Sequence, residues 1–115
     1  GRSDPYYDLI DDFDLIQASF LSQYGIRLSR DLRGMKWDEF RTLLIGISPE
    51  TPLGRIVAIR AETDKNILKN FSPDQRRIRN EWMQRSAKQK TAQESAAFYE
   101  EMKKALIALS GGSKN

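Results

Sequence analysis

Apolar residues recur along the chain at intervals of three and four, and proline, glycine and capping residues cut that pattern into pieces. Phe13, Ile16, Phe20 and Tyr24 fall at helical spacing. Asp11 or Asp12 just ahead of them predicts a helix N-cap, and Gly25 ends the run as a C-terminal residue should. Trp37, Phe40, Leu44 and Ile47 form the buried edge of a second helix, stopped by Ser48 and Pro49. Thr51 and Pro52 are an N-cap and first-turn pair that opens a third, with Leu53, Ile56 and Val57 as its apolar members. Between the first two helices, IRLSRDLRGM predicts a connector: Ile26 and Leu28 alternate like a short extended piece, and Gly34 breaks any helix begun at Arg30. Gly54 predicts close helix–helix packing in preference to a ligand contact. DKNILKNF predicts a short helix or turn that brings Ile67, Leu68 and Phe71 onto the core.

Ser72 and Pro73 repeat the N-cap and first-turn signal, and neither proline nor glycine follows until Gly111. One helix over residues 73–109 is expected, roughly 55 Å long at 1.5 Å per residue. The alternative is a break near residues 89–91, which would make it a hairpin. Ile78 and Trp82, four apart, predict docking of its first part on the core. Near its end Ala92, Ala96, Tyr99, Met102, Leu106 and Leu109 make a heptad-like seam, separated from Trp82 by the polar run QRSAKQKTAQES. Such a seam, placed beyond its own core, predicts a second chain against it. The alternative folds it back onto the first helix. On the first reading, Asp at 106 and 109 would dissolve an assembly and leave the core folded.

These elements imply an all-α protein: a compact bundle of three to four short helices over residues 1–71, one long C-terminal helix over 72–110, and a disordered tail over 111–115. The expected core comprises Phe13, Ile16, Phe20, Trp37, Phe40, Leu44, Leu53, Ile56, Ile78 and Trp82. At 115 residues the chain suits one domain.

Composition removes most chemistry. With no cysteine there is no disulfide or thiolate, and with no histidine the commonest general base and zinc ligand is gone. Asp38–Glu39 and Glu100–Glu101 are neighbours on helices, pointing about 100° apart, so neither pair converges on a substrate. Asp8, Asp11 and Asp12 lack the glycine and terminal glutamate of a calcium loop, which leaves them a capping role. Leu53-Gly54-Arg55 has no phosphate-loop pattern around it. A non-enzyme without metal or cofactor is expected. No apolar run approaches the roughly 20 residues that span a bilayer, and no basic-then-apolar signal opens the chain, so a cytosolic protein is expected.

Charge is unevenly placed. DPYYDLIDDFD carries aspartates and no base, whereas from residue 76 to 90 Glu81 is the one acid against Arg76, Arg77, Arg79, Arg85, Lys88 and Lys90. Acidic end and basic stem suit each other, within one copy or between copies. The arginines are too closely spaced to share one helix face, which argues against a groove-facing stripe for nucleic acid and for a solvated or ion-paired surface. Binding of DNA or RNA through this stem is the alternative.

Four ordered blocks, FLSQYGIRL, MKWDEFRTLLIGI, ETPLGRIVAIRAE and FSPDQRRIRNEW, resemble the bacteriophage gene-product-fifteen family of phages and prophages of Gram-positive bacteria. The resemblance runs from about Asp12 to about Arg85. It implies a protein made in the host bacterial cytoplasm from the tail-gene neighbourhood, where tail assembly chaperones are encoded. It implies as partners the tape-measure protein, which such chaperones coat, and the tail-tube subunits that replace them. A homo-oligomer is expected, and a structural piece of the mature tail is a further alternative. The family supplies no catalytic residues.

Overall fold

In the computed structural model, which describes residues 4–86 and 96–109, the punctuation of the chain becomes seven α-helices. They are α1 (Phe13–Tyr24), α2 (Leu28–Asp31), α3 (Trp37–Ile45), α4 (Pro52–Ala61), α5 (Lys65–Leu68), α6 (Pro73–Ser86) and α7 (Ala96–Leu109), with a 3-10 turn at Leu32–Gly34. No strand occurs among the described residues. The all-α expectation holds.

Local signals account for most helix ends. Gly25 takes φ +70°, and its N–H donates to the Leu21 carbonyl at 3.0 Å while that of Ile26 reaches Phe20, so two orphan carbonyls of α1 are satisfied. Thr51 Oγ1 accepts the Gly54 N–H at 3.0 Å and donates to the Ser48 carbonyl at 2.8 Å. The start of α6 is a reciprocal capping box: Ser72 Oγ accepts from Gln75 N–H at 3.1 Å, and Gln75 Oε1 accepts from Ser72 N–H at 2.8 Å.

Three local expectations are corrected. The connector is not extended: Leu28 and Leu32 are both buried, and at four apart they share a face of consecutive helical turns. Asp12 precedes α1 but makes no side-chain cap, because its carboxylate is turned elsewhere. Of the three apolar residues at α5, Phe71 is buried and Leu68 half-buried, but Ile67 is exposed.

The main core joins Ile16 and Phe20 of α1, Leu28 of α2, Leu32 of the 3-10 turn, Met35 just after it, Phe40 and Leu44 of α3, and Leu53 of α4 with Leu9 from the N-terminal segment. The remaining members come from α7: Tyr99, Met102 and Leu106, at 0%, 2% and 9% exposure. Phe40 is the hub, its ring 5.5 Å from that of Phe20 and 5.0 Å from that of Tyr99, with Trp37 5.1 Å from Tyr99. Each such aromatic pair adds about 0.5–1.5 kcal/mol beyond its buried area. Tyr99 Oη donates to the Met35 carbonyl at 3.0 Å, so the buried hydroxyl is satisfied.

This placement revises the long-helix expectation. The described residues hold two 14-residue helices, α6 and α7, where one helix over 73–109 was expected. Residues 87–95, on which continuity or a break would fall, lie outside the described residues, as does the expected tail at 111–115. The core is not confined to residues 1–71. Tyr99, Met102 and Leu106 find their partners in their own chain, so these three are not a surface for a second one. The physical reason is that the aromatic group at Phe20, Trp37 and Phe40 leaves an apolar face that α7 covers.

Of the other expected core residues, Phe13 and Trp37 pack partly buried at the margin, and Ile56 and Ile78 are half-buried outside the main cluster. Gly54 is a packing glycine, but not between helices. A Cβ there would strike the Ser48 carbonyl oxygen and lie 2.7 Å from Pro49 Cα, in the turn just before α4.

Candidate functional site

Beside the main core lies a second junction, where α6 packs on α4 and the acidic N-terminal segment crosses both. Its aspartates first shape their own backbone. Asp4 Oδ1 accepts the Tyr6 N–H at 2.7 Å, and Asp8 Oδ1 accepts those of Ile10 and Asp11 at 2.9 and 2.8 Å. Asp12 Oδ2 accepts the Asp8 N–H at 2.8 Å. Asp8 thus braces the turn before α1; it does not cap a helix, the role the sequence predicts for it.

The carboxylates of Asp8, Asp11 and Asp12 also face cations. Arg60, in the last turn of α4, donates Nη1 to Asp12 Oδ2 at 2.8 Å and Nη2 to Asp12 Oδ1 at 3.1 Å. Both side chains are largely buried, at 13% and 7% exposure. Removing one partner from such a pair leaves a buried charge uncompensated, at a cost of about 3–5 kcal/mol. Arg60 Nη1 also donates to the Tyr6 carbonyl at 3.0 Å. Its Nε is buried with no hydrogen-bond partner, while the guanidinium carbon lies 4.4 Å from the centre of the Trp82 ring.

Arg85, in the last turn of α6, meets Asp8 at 2.9 Å and Asp11 at 2.8 Å. It too lies near the Trp82 ring, at 5.1 Å. Trp82 is 5% exposed, and its Nε1–H donates to Asp4 Oδ2 at 3.0 Å. Acidic end and basic stem thus meet within one copy.

The predicted stem divides. Arg85 is taken up by this junction, and Arg79 donates Nε to the Glu62 carbonyl at 2.9 Å, at the C-terminal end of α4. Arg77 is exposed and pairs along its own helix with Asp74 and Glu81 at 3.6 and 3.4 Å, contacts of small energetic weight. Arg76 is exposed. Lys88 and Lys90 lie outside the described residues, as does Ala92, and the side chain of Leu109 is not described. Ala96 is exposed at the start of α7. Sequence reasoning missed Arg60. The available signal was the acidic run itself: aspartates with no base nearby require cations from elsewhere.

Asp8, Asp11 and Asp12 are spent on arginines, and no group of His, Cys, Asp and Glu among the described residues could hold a metal ion. One strongly shifted group is Tyr99, pushed up to about 12 by burial and then by the negative charges of Glu100 and Glu39. Its hydroxyl is a hydrogen-bond donor within the core, not a base. An open groove of about 310 Å³ lies beside α1 and α2, lined by Asp14, Gln17, Leu21, Arg27 and Ser29 among others. No helix among the described residues is long and apolar enough to cross a membrane.

Comparison with known proteins agrees with the four sequence blocks. The sequence model of the family described as Bacteriophage Gp15 protein matches residues 2–89, which include α1 to α6 and the whole Arg60–Trp82–Arg85 junction. No curated protein and no solved structure matches the chain. With well over half its length matched, the chain belongs to the bacteriophage Gp15 protein family.

Proposed function

We propose that this chain is a non-catalytic, tail assembly chaperone-like phage protein. It acts in the host bacterial cytoplasm as an oligomer that coats or solubilises the tape-measure protein until tail-tube subunits take its place. The observation that carries the reading is family membership over residues 2–89, joined to the tail-gene setting that the resemblance implies. A tape-measure protein is long, helical and apolar, and coating it calls for a helical surface that binds weakly at many points.

Burial of Tyr99, Met102 and Leu106 moves that surface away from the C-terminal seam. On α6, Arg76, Arg77, Asn80, Met83 and Gln84 are exposed, on a helix within the matched segment. This face is where partner contact is assigned. A basic and polar face that carries Met83 suits a helix whose flank carries acids.

Co-purification with the tape-measure protein of the same gene cluster, at physiological salt and with nuclease present, tests the reading. Soluble complex is expected, and it disappears in the Arg76→Glu, Arg77→Glu, Met83→Glu variant while helix content stays unchanged. A tape-measure protein that stays insoluble defeats the proposal. Affinity for DNA or RNA that falls steeply with salt would instead assign Arg76 and Arg77 to phosphate contacts.

A further inference from the structure

Arg27, Arg30, Arg33 and Lys36 recur at intervals of three, across α2, the 3-10 turn and the residue before α3. All four are exposed. Leu28, Leu32 and Met35 of the same stretch, at spacings of four and three, are buried in the main core. Residues three apart lie nearly above one another in α-helical and 3-10 backbone, so the buried leucines hold the arginines in a row on the outer side. At about 1.5–2.0 Å of rise per residue, neighbouring arginines stand about 4.5–6 Å apart along that row.

These cations are unspent. Arg27, Arg33 and Lys36 make no ion pair among the described residues. Arg30 meets Asp31 at 3.1 Å, but its side chain is 68% exposed and the contact is of small weight. From residue 15 to residue 37 Asp31 is the one acid. Asp14 bounds the face on one side, where it lines the same groove as Arg27, and Asp38 and Glu39 bound it on the other, in the first turn of α3. On α6, by contrast, Arg79 and Arg85 are held by the chain itself and Arg77 is paired along its helix.

We propose that the face of Arg27, Arg30, Arg33 and Lys36 binds the phosphate backbone of duplex DNA without reading its sequence. Evenly spaced cations match an evenly spaced polyanion, and a guanidinium offers phosphate two parallel donors. A Cβ at Gly34 would meet nothing within 4 Å, so the backbone between the cations is open to a close-lying strand. Exposed Ser29 adds a hydroxyl donor on the same segment. With four residues, α2 is too short to lie along a major groove and read base edges. Within this stretch the apolar side chains are turned into the core, so the face lacks both the anchor on which a protein partner would centre and the insert that a lipid surface would take up. No aromatic ring among the described residues is exposed, so single-stranded bases find no stacking platform. This face is separate from that of α6, and DNA binding here and tape-measure binding there stand or fall independently.

Fluorescence anisotropy of a labelled random-sequence duplex of about 20 base pairs, titrated with the full chain, tests this. Binding is expected, with a log–log salt slope of about −3 and an affinity that falls roughly 40-fold or more between about 50 and 200 mM salt. The Arg27→Gln, Arg30→Gln, Arg33→Gln, Lys36→Gln variant should bind roughly tenfold or more weakly at low salt and flatten the slope. Its melting temperature should not change, because the groups are exposed. Arg76→Gln with Arg77→Gln should leave affinity and slope as they are. No anisotropy change with the wild type at low salt overturns the proposal, as does a loss confined to the Arg76 and Arg77 variant. Tighter binding of a single strand of the same length, or equal binding of phosphatidylserine vesicles at the same salt, also overturns it, because the partner is then not duplex DNA. Should the fourfold variant fail to fold, Arg27→Gln with Arg33→Gln decides in its place, and an unchanged affinity overturns the proposal.

Discussion

Arg60 grips Asp12 with two hydrogen bonds, 2.8 and 3.1 Å long, across 48 residues of sequence. The pair joins the last turn of α4 to the residue before α1, in a region from which most water is excluded. Its geometry is the two-pronged match of guanidinium and carboxylate, which holds orientation as well as charge.

Replacing Asp12 with Ala should therefore destabilise the fold by about 3–5 kcal/mol, since Arg60 would stay buried beside Trp82 without its counter-charge. Arg60→Met combined with Asp12→Leu should recover a large part of that loss. Urea denaturation of Asp12→Leu, Arg60→Met and the double variant gives the coupling energy. Additive losses would mean that the pair does not act as a unit.

Alkaline stability should track Tyr99. Its phenol is pushed from 10.0 to about 12 in the folded chain. Above pH 10 the unfolded chain has released this proton and the folded chain still holds it. Unfolding then releases a proton, and stability falls as pH rises from about 10 to about 12. The contribution is fully present below pH 10. Tyr99→Phe should abolish this part of the alkaline loss, read as denaturant midpoint against pH. It should cost about 0.5–1.5 kcal/mol at neutral pH by removing the hydrogen bond to Met35. Lys103 Nζ also donates to that carbonyl at 3.0 Å, which favours the low end.

Gly54→Ala tests the turn before α4. Alanine is the better helix former, so an unconstrained site would gain about 1 kcal/mol. Here the added methyl meets the Ser48 carbonyl and Pro49 backbone, and the expected result is a net loss of about 1–3 kcal/mol by thermal or urea unfolding. A stabilised variant would show that the turn yields freely.

Leu106→Asp discriminates between the two readings of the C-terminal apolar residues. As an intermolecular seam, it would lose assembly and keep its fold. Buried beside Tyr99 and Met102, Leu106 instead belongs to the core, and aspartate there should unfold or severely destabilise the monomer, by about 3 kcal/mol or more. Circular dichroism with light scattering separates the outcomes. An unchanged melting temperature would restore the seam to the surface.

Short-range physics made much of this protein readable from its residues alone. Thr51-Pro52 and Ser72-Pro73 satisfy N–H groups one turn away, Gly25 adopts a conformation that other residues avoid, and Phe13 to Tyr24 repeat at the pitch of a helix. Each signal acts within a few residues, so α1, α3, α4 and the start of α6 lie close to where spacing and caps put them. Family resemblance was equally legible, since its blocks are local strings.

Partner choice was not legible. An apolar face specifies that something must cover it, and Tyr99, Met102 and Leu106 fit a second chain or their own core equally well as a pattern. The tertiary structure decides for the core, because Phe20, Trp37, Phe40 and Met35 leave a slot that accepts an aromatic ring and a hydrogen-bond donor. The same holds for charge. The sequence matched the aspartates to a basic stem that includes Arg85, but only folding selects Arg85 from that stem, adds Arg60 and puts Trp82 between α4 and the N-terminal segment. Local geometry is determined by neighbours along the chain, whereas burial and ion pairing depend on distances that only the packed helices set.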